Sequence, residues 1–147
     1  MKTIGYRPIV SAQAIIDEIA AALTPVLVPA RLDQLYPFRW QPSGTLAGNR
    51  IGYLTSVGGI PTDSTENNSF QDIILMVAVR HDGTPATLQA AEATLNDIEA
   101  DVWNTLVPTN ATHWNTVEPP RQSVKPGAPE GQPNWRAMYI YIRARSA

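Results

Sequence analysis

The feature that most constrains the fold is an unbroken apolar run near the middle of the chain. Within "FQDIILMVAVRHDG", residues 70–83, seven consecutive residues are apolar. Successive side chains of a strand point to opposite faces, so a half-exposed strand would alternate apolar and polar residues. This run has apolar side chains on both faces: Ile73, Leu75, Val77 and Val79 on one, and Ile74, Met76 and Ala78 on the other. Both faces of the strand must therefore be covered.

Two other segments have helical periodicity. Residues 11–23 space apolar side chains by four behind the N-cap candidate Ser11, and Pro25 is expected to end this helix because proline cannot continue the hydrogen-bond ladder. Residues 85–106 follow the N-cap candidate Thr84 and carry one continuous apolar stripe. The opposite surface of this second helix has no Lys or Arg and carries four acidic residues: Glu92, Asp97, Glu99 and Asp101.

The remaining sequence alternates strands with loops. We predict strands over four further stretches: 50–57, 134–146 and, shorter, 35–40 and 112–118. Residues 58–69 are polar and begin with glycine, and we expect a mobile hairpin tip or an arm that orders on a partner. Residues 119–133 are rich in proline and glycine and predict a long loop.

This order of elements predicts a single α+β domain over residues 1–147. Its mainly antiparallel or mixed sheet has both helices on one face, with long polar and proline-rich loops. The helices then cover one side of the central strand, and the other side should look outward and mark an interface. The predicted subunit interface consists of six residues: Ile74, Met76, Ala78, Arg136, Arg143 and Arg145. The alternative role for the three arginines is protection of a sheet edge.

Composition narrows the function classes. A chain of 147 residues with a formal net charge of −2 lacks the basic excess of nucleic-acid-binding modules. It has no cysteine, which excludes disulfides and thiolate metal sites. No apolar stretch has the length of a membrane-spanning helix, and the N-terminus lacks the apolar segment of a secretory signal. We therefore expect a soluble protein, folded in a cytoplasm.

No catalytic constellation is recognisable. The two histidines, His81 and His113, have no partners at metal-ligand spacing, and we expect each to be an ordinary polar residue near the end of an element. The serines lack a nucleophile-elbow context, and the glycines lack a Walker lysine. The acidic residues of the second helix fit a solvated face, a surface towards other subunits or a passage, or paired acid–base catalysis. Our expectation is a protein that is not an enzyme and has no cofactor or metal.

The succession of elements is itself a recognisable pattern. The helix "AIIDEIAAAL", a proline-rich connection, a polar arm leading into "QDIILMVAVRHDG", the helix "AAEATLNDIEADVWNTL" and the terminal "WRAMYIYIRARS" follow one another in that order. This layout resembles the tail terminator proteins of long, non-contractile-tailed phages and the related tail-completion and neck proteins. The resemblance covers most of the chain and is a pattern of elements, not a signature motif.

The resemblance implies a ring, typically of six subunits, at the head–tail junction of a virion assembled in the host cytoplasm. Such a ring caps the tail tube, ends tail elongation and offers a surface to the head connector, while DNA passes through its lumen without specific binding. The acidic residues of the second helix would then line the lumen, where like charge opposes DNA adhesion. The arm at 58–69 and the loop at 119–133 would order on the tube or the connector, the arm through four residues: Asp63, Glu66, Asn67 and Asn68.

Other functions are compatible with the same sequence. The nearest alternative is a head-completion, neck or tail tube protein of the same virion. A tube subunit would polymerise into long cylinders, whereas a terminator would stop at single rings. From another class, a small α+β ligand-binding domain or enzyme would need a pocket with convergent polar groups.

Overall fold

The described residues form one six-stranded sheet with two helices. The computed structural model describes residues 11–39, 49–61, 69–107, 114–118, 123–128 and 133–146. The helices and strands are, in chain order, α1 (Ala12–Leu27), β1 (Gln34–Tyr36), β2 (Arg50–Pro61), β3 (Ser69–Arg80), α2 (Pro85–Leu106), β4 (Trp114–Glu118), β5 (Ser123–Gly127) and β6 (Trp135–Ser146). The sheet runs β1–β2–β3–β6–β4, with β5 also paired to β6. Every pairing is antiparallel except β1–β2, which confirms the predicted class.

The apolar run lies in β3, between β2 and β6, and the helices cover one of its faces. Four of its side chains share a buried cluster with both helices: Ile73, Leu75, Val77 and Val79. The same cluster takes alternate residues of β6: Met138, Ile140, Ile142 and Ala144. Burying one large aliphatic side chain stabilises a fold by about 1.5–3 kcal/mol, so this layer supplies most of the cohesion between helices and sheet. Both helices therefore lie on one face, as predicted.

α2 begins where the sequence predicts because its first turn is capped by neighbouring side chains. Thr84 accepts a hydrogen bond from the Thr87 backbone N–H, and Pro85 occupies the first turn. The Asp82 carboxylate accepts from the Thr84 N–H at 3.0 Å, from the Thr84 hydroxyl at 2.7 Å and from the Thr87 hydroxyl. These donors, the Thr87 hydroxyl first, lower the pKa of Asp82 to about 2. Gly83, with a φ of 89°, permits the turn that brings Asp82 back to the helix.

α1 does not end at Pro25, contrary to the sequence expectation. The helix continues to Leu27, with Pro25 in its last turn. A proline near a helix end removes one ladder hydrogen bond. Here the residues after Pro25 are still stabilised by the helical conformation. Leu27 is fully buried, and the Val28 N–H donates to the Thr24 carbonyl at 2.9 Å. Ser11 stands at the N-cap as predicted, but its side chain makes no capping hydrogen bond.

Arg50 ties the turn after α1 to the start of β2. Its guanidinium donates to Asp33 Oδ1 at 2.9 Å from Nη2, to the Pro29 carbonyl at 3.0 Å and to the Ala30 carbonyl at 3.1 Å. The hydrogen bond from the Arg50 side chain is the main reason why the pKa of Asp33 is lowered. This cluster positions β1 beside β2 at the edge of the sheet.

Two stretches predicted as loops contain strand. β2 and β3 extend into the predicted arm at 58–69, with a shift of register between Ser56 and Gly58. β5 lies within the predicted loop at 119–133 and pairs with β6. Ladder hydrogen bonds use only the backbone, so polar and glycine-rich segments pair when a long neighbouring strand is in place. The rest of these two stretches lies outside the described residues: 62–68, 119–122 and 129–132.

The second face of β3 is covered by aromatic side chains from the same sheet. Met76 stands between Tyr53 of β2 and Tyr139 of β6 in the strand register. A second buried cluster forms there, from Ile51, Tyr53, Met76, Ala78 and Trp135, with Tyr36 and Tyr139 packed against it. Met76 is 4% exposed and Ala78 fully buried, so the expectation that both look outward is wrong. The sequence-based expectation counted only the helices as cover for β3. It left out the surface that tyrosine and tryptophan rings of the same sheet can cover.

Replacing Met76 by glutamate should destabilise the monomer. The new carboxylate must be buried without a partner or take up a proton, which should lower the free energy of unfolding by about 2 kcal/mol or more. Urea unfolding followed by circular dichroism measures the change. The matched control is Val57→Glu, at a position of β2 that is 56% exposed, where the change should stay within about 0.5 kcal/mol. Equal losses in the two variants would show that Met76 is not enclosed.

The lowered pKa of Asp82 predicts a contribution to stability that acid removes. Its folded pKa of about 2 lies below the ordinary value of 3.8, so the ionised form is favoured by folding. The contribution is present above about pH 4 and is lost as the pH falls towards about 2. Asp82→Asn should lower the midpoint of thermal unfolding at neutral pH, with a deficit that shrinks towards pH 2. A deficit that is independent of pH across this window would contradict the prediction.

Candidate interaction surfaces

The two faces of the sheet differ in chemistry. We call the face of β2, β3 and β6 opposite the helices the helix-free face. The tyrosines that the structure describes lie on it or pack against it: Tyr36, Tyr53, Tyr139 and Tyr141. The helix side is mainly aliphatic, with Trp103 partly buried against it. Tyrosine, tryptophan and arginine are enriched in protein–protein interfaces, so the helix-free face has the composition of a contact surface.

Exposure rises along the helix-free face. Met76 and Ala78, in the C-terminal half of β3, are buried. Near the start of β3, the cross-strand row Thr55–Ile74–Tyr141 is more accessible: Thr55 and Ile74 are half-buried, and Tyr141 is 39% exposed. We call this row, together with the neighbouring pair Asp72 and Arg143, the open end of the helix-free face. Apolar surface therefore remains accessible at this end, and Ile74 is partly exposed.

Arginines are fixed at both ends of this face. Arg143 Nε donates to Asp72 Oδ1 at 2.8 Å, and its Nη2 donates to Asp72 Oδ2 at 3.0 Å, so the pair is bidentate. At the other end, Arg80 Cζ lies 5.8 Å from the centre of the Trp135 ring, within the range of a cation–π contact. Both guanidinium groups therefore have a partner within the chain.

An aromatic group continues the helix-free face beyond β1. The rings of Tyr36 and Phe38 have their centroids 5.5 Å apart, and Phe38 is 49% exposed. Burial raises the pKa of the Tyr53 hydroxyl, while the nearby Arg39 guanidinium opposes the rise. Tyr53 therefore stays protonated and neutral at physiological pH.

The three arginines predicted for the interface have different surroundings. Arg143 lies on the helix-free face, as described. Arg136 stands opposite Val79, on the helix side, and its Nε lies 3.4 Å from Oε1 of Glu92 on α2. The acid that pairs with Arg136 therefore belongs to the same chain. The side chain of Arg145 lies outside the described part of the structure.

The acidic residues of α2 are paired with cations from other parts of the chain. Arg31, just after α1, places Nη1 3.2 Å from Asp97 Oδ2 and Nε 3.1 Å from Asp101 Oδ2. Lys125 of β5 places Nζ 3.8 Å from Glu99 Oε1. Glu92, the fourth acidic residue, pairs with Arg136 as described above. Partly exposed pairs of this kind contribute about 0–1 kcal/mol each, but together they offset the charge of the helix surface.

The described residues form no group of His, Cys, Asp or Glu that could hold a metal ion. None of the helices in the described part of the chain is long and apolar enough to cross a membrane. Five residues with predicted or considered roles lie outside the described residues: Asp63, Glu66, Asn67, Asn68 and His113.

A polar pocket lies between the end of β3 and the start of α2, where the sequence predicted no site. Its volume is about 250 Å³, and it is lined by Asn49, Arg80, His81, Asp82 and Thr87. The sequence "HDGT" between a buried strand and a helix predicts a turn. It does not predict that the turn meets Asn49, which stands more than thirty positions earlier in the chain. Strand pairing brings them together, because the Arg80 N–H donates to the Asn49 carbonyl at 2.8 Å.

Comparison with known proteins identifies the fold. No protein-family model matches the chain, and no curated protein matches it. Among solved structures, it is similar to a chain of the "Virion of native gene transfer agent (GTA) particle", with a TM-score of 0.53 and 18% sequence identity. The match covers 92% of this chain and 94% of that chain. The two-layer α+β arrangement described above is therefore also found, over nearly its whole length, in a protein of a virion particle.

Proposed function

We propose that this chain is a structural protein of a phage-like virion and that it acts by assembling with other virion proteins. The observation that carries the proposal is the fold likeness to a chain of a gene transfer agent virion, over 92% of this chain and 94% of that one. Because the match covers nearly all of both chains, it concerns the two-layer unit as a whole and not only a fragment of it. The open, aromatic end of the helix-free face supports a role in assembly.

In its finer form, the proposal is a tail terminator. The protein would form a ring on the last ring of the tail tube, end tail elongation and present a surface to the head connector. The order of helices, arm and strands along the sequence supports this form. Its partners would be further copies of itself, the tail tube protein and the connector, with DNA passing through the lumen.

Neighbouring copies in a ring meet through two different surfaces. We place the helix-free face of one copy against the helix layer of the next, because their charges are opposite. Among the described side chains, the helix-free face has two arginines against one aspartate, Arg80 and Arg143 against Asp72, and Arg39 beside it hydrogen-bonds to Tyr53. The two helices contain no Lys or Arg and six carboxylates: Asp17, Glu18, Glu92, Asp97, Glu99 and Asp101. Three cations from outside the helices pair with the last four of these.

The ion pairs also affect how well α2 fits as the lining of the proposed lumen. A lining that repels DNA needs charge that is not compensated locally. Because Asp97 and Asp101 share Arg31, and Glu92 and Glu99 have their own partners, α2 is a weaker candidate for the lining than its sequence suggests.

Electron microscopy of the purified protein tests the proposed assembly. Negatively stained samples at high protein concentration should show single closed rings, and light scattering coupled to size-exclusion chromatography should give one discrete mass, typically that of six subunits. Long cylinders would favour a tube subunit. A protein that stays monomeric under all conditions, also when mixed with the tail tube, would contradict the assembly role itself.

Tyr141→Glu should prevent ring formation without unfolding the chain. The side chain is 39% exposed in the monomer, so a glutamate can remain solvated there, but it would be buried without a partner in the proposed contact. Light scattering should show monomers, while circular dichroism and the unfolding midpoint stay close to those of the original protein. Tyr141→Phe is the matched control and should assemble, since it keeps the apolar ring. Rings formed by Tyr141→Glu would exclude this face from the contact and leave the virion role in place.

A further inference from the structure

The two helices differ in how far the chain itself compensates their negative charges. On α2, the four acidic residues pair with Arg31, Lys125 and Arg136. On α1, Asp17 is exposed and accepts a hydrogen bond from the neutral side chain of Gln13 at 2.8 Å. No cation among the described residues forms an ion pair with Asp17. The negative charge of α1 is therefore uncompensated at this exposed position.

The arginines of the helix-free face differ in the same way. Arg143 forms the bidentate pair with Asp72, so its charge is balanced within the chain. Arg80 is exposed and lies over the ring of Trp135, but no described carboxylate forms an ion pair with it. The carboxylate of Asp82, two residues further on, accepts instead from the hydroxyl groups of the α2 cap. Arg80 therefore presents an uncompensated positive charge on this face.

The cost of burial decides which helix is the better partner for that face. A contact through the acidic surface of α2 would bury its ion pairs, and the desolvation penalty of a buried ion pair often exceeds its Coulombic gain. The outer stripe of α1 carries one charge, Asp17, and continues at one-turn spacing through the exposed, uncharged residues Ala21 and Pro25. Only one charge on this stripe needs a partner when the surface is covered.

We propose that α1 of one copy lies along β3 on the helix-free face of the next copy, with Asp17 in an ion pair with Arg80. This inference rests on the proposed assembly of copies, and it names the helix and the charges that make the contact. In this contact α1 runs antiparallel to β3, and Pro25, about two turns beyond Asp17, lies towards the open end. Ile74 and Tyr141 leave apolar surface accessible there. Opposite charges meet at one end of the contact and uncharged surfaces at the other.

Charge reversal tests the pairing on the full chain. Arg80→Glu alone and Asp17→Arg alone each bring like charges together, and each should raise the Kd of self-association at least about tenfold. The double variant restores opposite charges, so its Kd should return to within about threefold of that of the original protein. Sedimentation equilibrium measures the Kd, and circular dichroism checks that the variants are folded, as expected for two exposed positions.

Arg39 provides the matched control, because it lies beside the same face and its hydrogen bond is to Tyr53. Arg39→Glu combined with Asp17→Arg should not restore association. Rescue through Arg39 would overturn the pairing with Arg80. Single variants that associate as tightly as the original protein would overturn the pairing as well, while leaving the ring itself in place. An original protein that forms no assemblies would contradict the proposed function, and this contact with it.

Discussion

The structure depends on the burial of β3 from both sides. An apolar strand in the interior of a sheet can be covered by a second layer of elements or by large side chains from its own neighbours, and this chain uses both. On one side, the aliphatic stripes of α1 and α2 cover Ile73, Leu75, Val77 and Val79. On the other side, rings from β2 and β6 cover Met76 and Ala78. Two helices are sufficient for the fold because the second layer consists of side chains.

The difference between helical cover on one face and aromatic cover on the other explains where apolar surface stays exposed. The aromatic cover is densest around Met76 and thins towards Ile74, where the neighbours in the strand register are Thr55 and Tyr141. Threonine is too small to shelter an isoleucine, so the apolar strand is incompletely covered at this end. The apolar surface exposed at this end therefore results from the small side chain of Thr55 on β2 and not from a separate element.

The elements with strong local signals were predictable from the sequence. The periodicity, cap and proline of α2 predict its bounds at Pro85 and Leu106. Pro25 misleads because the cost of a proline in the last turn is offset by the tertiary burial of Leu27, which no local pattern contains. The strand pairing in the arm depends on the backbone of the adjoining strand, from Gly58 opposite Asp72 to Pro61 opposite Ser69, and not on the polar side chains of the segment.

The candidate surfaces were predictable only in part, for the same reason. The row of acidic residues on α2 is evident in the sequence, but their partners Arg31 and Lys125 come from elements that reach the helix only in the folded chain. The pocket around His81 likewise combines residues from the starts of β2 and α2 with the end of β3. Ion pairing and pocket formation are properties of tertiary structure, and a single sequence shows only one of the participants.

The position of β6 has a consequence for how the chain acquires its structure during synthesis. β6 follows every other described element, yet it lies inside the sheet, with β3 along one edge and β4 and β5 along the other. Until the ribosome has released this segment, β4 and β5 have no partner, and a long apolar edge of β3 is open to other nascent chains. The sheet can close only after translation has passed residue 146, so the greatest risk of misassociation comes just before the native fold becomes attainable.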